Sequence, residues 1–142
     1  LGSAPGRASL VFPSDETARG SLEQHIADTI RHEKQVDAIE VEVDTLDRQI
    51  ASGLPDPDLV KLDVEGLERD VLEGMTSLLA RRRPRLYIEV HGADVARKLE
   101  NVTSVVEFLW RHGYGVLHVE SGLAIDSPAR IAGAIRGHLY CT

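Results

Sequence analysis

The feature that most constrains this chain is the order of patterns between residues 59 and 119. Residues 59–64 read as a strand with apolar side chains on both faces, which marks a strand in the middle of a sheet. Leu67, Val71, Leu72, Met75, Leu78 and Leu79 then fall on one helical stripe. Glu68 and Asp70 stand in its first turns and Arg81, Arg82 and Arg83 at its end, where the signs suit the helix dipole. Pro84 closes that helix, and residues 85–91 form the next strand. Residues 102–110 make an amphipathic helix capped by Gly113, residues 115–119 a further strand, and residues 138–141 the last one. Strand, helix, strand, helix, strand requires right-handed crossovers, so the fold class from Leu59 onward is α/β with a parallel sheet.

Upstream the pattern changes. Residues 7–12 read as a short strand ended by Pro13, and residues 13–35 as a polar loop with one weak helix, where Leu22, Ile26 and Ile30 recur at four-residue spacing. Residues 36–43 alternate apolar and acidic, as a strand with one wet face does, and are placed to pair with 7–12. Asp44 to Asp47 begin a short helix that Gly53 and Pro55 stop. No internal repeat or low-complexity tract interrupts the 142 residues, which read as one domain.

Composition narrows the function. At 42% hydrophobic and 27% charged the chain is neither disordered nor collagen-like. It is long enough to bury a core without disulfides or a structural metal. Sixteen Lys and Arg against 23 Asp and Glu give a net charge of -7, which repels a phosphate backbone, so nucleic acid is not expected as a partner. The longest apolar runs, about five residues, fall far short of the ~20 that span a bilayer, and no signal-peptide layout is present. No membrane partner is expected, and a cytoplasmic location is. The single cysteine, Cys141, has no partner for an internal disulfide, and zinc-type Cys/His spacings are absent.

Ligands in parallel sheets bind at the carboxyl ends of the strands. Strand alternation puts Lys61 and Asp63 on one face of 59–64, with Glu65 at its tip, and Tyr87, Glu89 and His91 on one face of 85–91. Asp63, Glu65, Glu89 and His91 therefore converge at that end of the sheet. Like charges crowded in a half-buried place raise one another's pKa, so a carboxylate cluster with a histidine is costly to keep and points to chemistry. The structural alternative is that Lys61 pairs with a carboxylate, Gly66 permits the turn, and Glu89 and His91 cap backbone. The run Arg81, Arg82, Arg83 and Arg85 reads as a solvated helix end. His25, His32, His112, His118 and His138 lack metal-helix spacing and read as surface or satisfied residues. Gly113 to Gly115 follow a helix rather than a strand, so they are not a dinucleotide loop; Phe108 and Trp110 read as core.

The stretch from Leu59 to Met75, Leu-Val-Lys-Leu-Asp-Val-Glu-Gly-Leu-Glu-Arg-Asp-Val-Leu-Glu-Gly-Met, followed by Pro-Arg-Leu-Tyr-Ile-Glu-Val-His from Pro84 to His91, resembles the FkbM family of S-adenosylmethionine-dependent methyltransferases. Val41 to Asp47 resemble the segment leading into that strand, and Leu1-Gly2 with residues 7–12 the strand before it. The resemblance implies a class I, Rossmann-like fold, a mostly parallel sheet with helices on both faces, preceded here by a hairpin-like pair. This chain would supply the fourth, fifth and final two of seven strands. It also implies S-adenosylmethionine as cofactor and O-methylation of a hydroxyl on a small-molecule acceptor, a sugar or natural product. His91 or Glu65 would then be the base, with Asp63 orienting and Glu89 in the same cluster; no metal is assigned.

The family's glycine-rich cofactor loop has no counterpart in this sequence, and the chain opens at Leu1 rather than Met. The expectation is therefore a C-terminal portion of such a domain. Its strand 59–64 would be an open edge, and its partner a second copy or a complementing N-terminal segment. Two other readings remain at this point: a metal-dependent hydrolase using Asp63, Glu65, Glu89 and His91 as ligands, and a non-catalytic remnant that recruits a partner strand.

Overall fold

The computed structural model of the chain describes residues 1–14, Leu22, Asp28 and 35–142. The weak helix expected within 13–35, with His25 and His32, lies outside the described residues.

Strands β1 (Gly6–Pro13) and β2 (Val36–Val43) pair antiparallel, with Leu10 opposite Ile39 and Val11 opposite Ala38. Val11 is buried, while Glu40 on the wet side pairs with Arg7 at 3.1 Å. Helix α1 (Leu46–Ala51) begins at Thr45, whose hydroxyl accepts from the Arg48 N–H.

The main sheet contains β3 (Leu59–Leu62), β4 (Arg85–Glu89), β5 (Val116–His118), β6 (Leu123–Ala124) and β7 (His138–Cys141) in the order β3-β4-β7-β5-β6. β3 and β4 are parallel, but β4 with β7, β7 with β5, and β5 with β6 are antiparallel. The sheet is thus mixed, not mostly parallel as expected. The reason lies in the last strand, which turns back into the gap between β4 and β5. Those two strands run the same way, and β7 between them replaces one parallel pairing with two antiparallel ones. A strand's residue pattern carries its burial and not its direction, so this insertion leaves no mark in the periodicity. Among the described residues β3 is an edge strand, as expected for a chain that lacks the family's first half, although its two-faced apolar pattern reads as central: Leu59 is 53% exposed while Leu62 is buried.

The stripe over 67–79 is two helices, α2 (Glu68–Glu73) and α3 (Thr76–Arg82). They break at Gly74 and Met75 because Asp47 intervenes. Its N–H donates to the Gly74 carbonyl, and its carboxylate accepts from the N–H groups of Ser77 and Leu78 at 2.8 and 2.9 Å, capping α3 from thirty residues away. A side chain at Gly74 would collide with the Gly2 carbonyl. α4 (Val95–Arg111) starts earlier than the expected 102, because the Asp94 carboxylate accepts from the Arg97 N–H and starts the helix there. It ends as expected at Gly113, whose φ is +77°. α5 (Pro128–Ile131) and the 3-10 turn Ala132–Ala134 were not anticipated.

The core joins Leu62, Leu86 and Ile88 of the sheet, with Val90 just past β4, to Val71 and Leu72 of α2, Met75 at the break, Leu78 and Leu79 of α3, and Val102, Val105, Val106 and Leu109 of α4. Truncating one such leucine to alanine costs about 2–5 kcal/mol. What this frame does for function is to align the ends of β3 and β4: Leu62 faces Ile88 in register, so Asp63 and Glu89 emerge side by side, with His138 opposite Glu89 across β7.

Candidate active site

After Leu62 the chain leaves the sheet in a tight turn. Glu65 has φ 51° and Gly66 φ 101°. Glycine adopts this region without a steric cost, whereas a residue with a Cβ loses roughly 1–2 kcal/mol there, so Glu65 is held against its preference. The turn brings its Oε2 to 3.9 Å from Nε2 of His91.

His91, just past β4, is the centre of the arrangement, with its side chain 18% exposed. Nδ1 lies 3.0 Å from Oε1 of Glu68. Nε2 faces three more carboxylates: Glu89 Oε1 at 3.5 Å, Asp63 Oδ1 at 3.9 Å and Glu65. All four residues expected from the sequence are therefore brought together. Asp63 is also held by Lys61, whose Nζ donates to Oδ2 at 2.8 Å, so that part of the structural alternative stands as well. This contact holds the Asp63 carboxyl below its ordinary range; burial opposes it, and the charge of nearby His91 adds to the lowering.

The group that fixes His91 is Glu68. It is fully buried at the start of α2, where a negative charge suits the dipole. A buried carboxylate is costly unless its lone pairs are filled. Here Oε1 accepts from the Gly66 N–H at 3.1 Å and Oε2 from Asn101 Nδ2 at 2.6 Å, while Asn101 also donates to the His91 carbonyl at 2.8 Å. Burial pushes the Glu68 pKa up, but the hydrogen bonds from His91, Gly66 and Asn101 outweigh it and leave it below the ordinary 4.5. The bond to Glu68 raises His91 above its ordinary 6.5; burial opposes this, and the charges of Glu65, Glu68 and Glu89 reinforce it. An ionised Glu68 only accepts, so Nδ1 of His91 carries a hydrogen and Nε2 is the nitrogen turned to the carboxylate cluster.

Glu68 and Asn101 escaped the sequence reading. Glu68 carried the ordinary signature of a first-turn acid, and Asn101 sits mid-helix with no local signal. His138 also joins this end of the sheet: its Nε2 lies 3.5 Å from Glu89 Oε2, its Nδ1 2.7 Å from Glu120 Oε1, and its ring stacks on Tyr87. His138, through its side chain and then its backbone N–H, draws the Glu120 carboxyl down to about 2.

Two cavities flank the cluster. One of about 280 Å³ is lined by His91, Gly92, Ala93, Arg97, Asn101 and Ser104. The other, about 330 Å³, has Leu10, Leu22, Val64 and Leu67 with Asp63 and Glu65 at its wall. Ligand atoms of Asp63, Glu89 and His91 also lie within 4.8 Å of one another, close enough for one divalent ion. The arginine run is engaged elsewhere, Arg81 and Arg82 with Asp56 and Arg83 with the carbonyls of His112 and Gly113. Phe108 is core, stacked under the Arg69 guanidinium at 4.0 Å, whereas Trp110 is half-buried and donates to the Ile125 carbonyl. Among the described residues no helix is long and apolar enough to cross a membrane.

Comparison with known proteins gives one family. The model described as Methyltransferase FkbM domain matches residues 2–116. No curated protein and no solved structure matches the chain.

Proposed function

Since this chain belongs to the FkbM methyltransferase family, we propose that it serves an S-adenosylmethionine-dependent O-methylation, with a hydroxyl of a sugar or natural product as acceptor and His91 as the base. The observation that carries this reading is the buried Glu68 bonded to Nδ1 of a histidine whose Nε2 faces the strand ends.

The described residues suit the cofactor on one side. Asp63 and Glu65 put negative charge beside a cavity walled by Leu10, Leu22, Val64 and Leu67, a mixture that fits a cationic sulfonium with apolar neighbours. When bound, S-adenosylmethionine supplies an electrophilic methyl group. The rest of the work falls to the chain. In its neutral form His91 presents a lone pair at Nε2, which takes the hydroxyl proton as the oxygen becomes nucleophilic. Glu68 holds the ring in that orientation and stabilises the imidazolium that forms, as the carboxylate partner of a general base does. Glu89, Glu65 and Asp63 add negative charge around Nε2 and favour proton uptake. Positioning supplies the remainder, since in-line transfer needs the two reacting atoms held in contact.

The test is calorimetric titration of the chain with S-adenosylmethionine, followed by transfer of labelled methyl to a panel of hydroxyl acceptors by wild type and His91→Ala. Binding with transfer that His91→Ala abolishes supports the reading; binding with transfer that His91→Ala leaves intact removes His91 from the role. A second reading, hydrolysis at a divalent ion, draws on the proximity of Asp63, Glu89 and His91. Stoichiometric binding of the metal alone, with no cofactor binding, would favour it.

A further inference from the structure

The loop between β5 and β6 holds a second group of reactive side chains that methyl transfer does not use. Ser121 Oγ lies 2.8 Å from Nδ1 of His118. On the other side of the ring, Nε2 lies 2.6 Å from the Arg136 carbonyl oxygen and 3.3 Å from Oε2 of Glu120. A carbonyl oxygen only accepts, so Nε2 carries the ring hydrogen. Neutral imidazole has one, so Nδ1 presents its lone pair and Ser121 donates to it. His118 is only 7% exposed, which keeps the ring in this orientation.

Ser121 itself is exposed. One of its two lone pairs accepts the Leu123 N–H at 3.3 Å, leaving the other for attack. That backbone bond is all a hairpin turn asks of a serine. It does not require a buried imidazole aimed at the hydroxyl; Glu120, whose oxygens also meet the His138 N–H and ring, adds its charge behind that imidazole. Ser121 and His118 also open on a cavity of about 300 Å³ whose walls include Leu123, Ile125, Ala129 and Ala134, with Arg130 beside them.

We propose that Ser121 is a nucleophile activated by His118 and steadied through Glu120, and that it accepts acyl groups from carboxylic esters whose apolar chain seats in this cavity. The Ser121 oxygen bonds to the ester carbonyl carbon as its proton passes to Nδ1 of His118. Collapse breaks the ester C–O bond, and His118 returns the proton to the departing alkoxide. Water then repeats the sequence on the acyl-serine, releasing a carboxylic acid and restoring the hydroxyl. Glu120, with Oε2 at 3.3 Å from Nε2, faces the imidazolium formed in each half. The proposal is independent of the methyl-transfer reading, because it shares neither His91 nor Glu68.

The test is labelling of the purified chain with an alkyl fluorophosphonate, mapped by peptide mass spectrometry, beside release of nitrophenolate from p-nitrophenyl butyrate. One adduct on Ser121 is expected, absent in Ser121→Ala. The rate should fall about a hundredfold or more in His118→Gln, within the usual range for loss of a general base. Ser121 is on the surface, so Ser121→Ala keeps the fold, and circular dichroism checks His118→Gln; should that variant unfold, Glu120→Gln takes its place and is expected to slow labelling. No adduct on folded wild type, an adduct elsewhere than Ser121, or equal rates in folded wild type and the base variant would overturn the proposal.

Discussion

Two histidine–carboxylate pairs stand at neighbouring strand ends, and they differ in one respect that decides what each can do. His91 and Glu68 meet at 3.0 Å, and His138 and Glu120 at 2.7 Å. By distance the second is the tighter contact. Glu68, however, is fully buried with its oxygens taken by Gly66, Asn101 and His91, whereas the Glu120 side chain is 45% exposed. Water competes for the outer pair and salt screens it; the inner pair is shielded from both. The lesson is that burial and filled lone pairs, more than separation, turn a contact into a fixed piece of machinery.

The largest expected difference is in catalysis. His91→Ala should lower methyl transfer by about 10²- to 10⁴-fold, the usual worth of a general base, while His138→Ala should cost less than about tenfold. Steady-state rates on one acceptor check this, and equal losses would erase the distinction.

Stability comes next. Glu68→Ala leaves the Gly66 N–H, Asn101 and His91 without their buried partner, and should cost about 3–5 kcal/mol in urea unfolding, as when one member of a buried pair is removed. Glu120→Gln should lower the midpoint by much less, because that side chain is 45% exposed and water competes for its contacts.

How much of this contrast was visible in the amino acids can be judged residue by residue. Alternation along 59–64 and 85–91 put Asp63, Glu89 and His91 on matching faces, and a parallel pairing brought their ends together as that alternation requires. The hairpin-like pair of β1 and β2 followed from the acidic alternation of 36–43. Glu68 stayed hidden because its local signature, an acid in a first helical turn, is the same whether it caps a helix or grips an imidazole. The split at Gly74 was hidden because its cause, Asp47, is distant in sequence. The mixed sheet was hidden because the reversal of β7 is a property of chain path.

The pH dependence of stability sharpens the comparison in a smaller way. His91, raised above 6.5 in the fold, contributes stability that is fully present below 6.5 and lost as pH rises through its folded value. Glu68, lowered below 4.5, contributes stability present above 4.5 and lost as pH falls through its folded value. The inner pair therefore stabilises most between these two limits. Glu120, drawn to about 2, loses its contribution between pH 4.5 and about 2. Thermal melting across pH should show the alkaline decline disappear in His91→Ala and persist in His138→Ala.

Smallest of all is the effect of salt. Raising sodium chloride to about 1 M, where the screening length is about 3 Å, should weaken the outer pair and leave the inner one unaltered. Titration of the Glu120 carboxyl and His91 ring signals with and without salt checks it, and a salt response at His91 as large as at Glu120 would blur the comparison.

The central claim is that Glu68 holds His91 with a hydrogen on Nδ1 and the reactive nitrogen outward. Nitrogen-15 NMR of the imidazoles through a pH titration, in wild type and Glu68→Gln, tests it most directly. The expected result is a His91 that titrates above 6.5, deprotonates at Nε2, and moves to lower pH in Glu68→Gln. A His91 that titrates at or below 6.5, loses its proton from Nδ1, or ignores the Glu68 substitution would contradict the account.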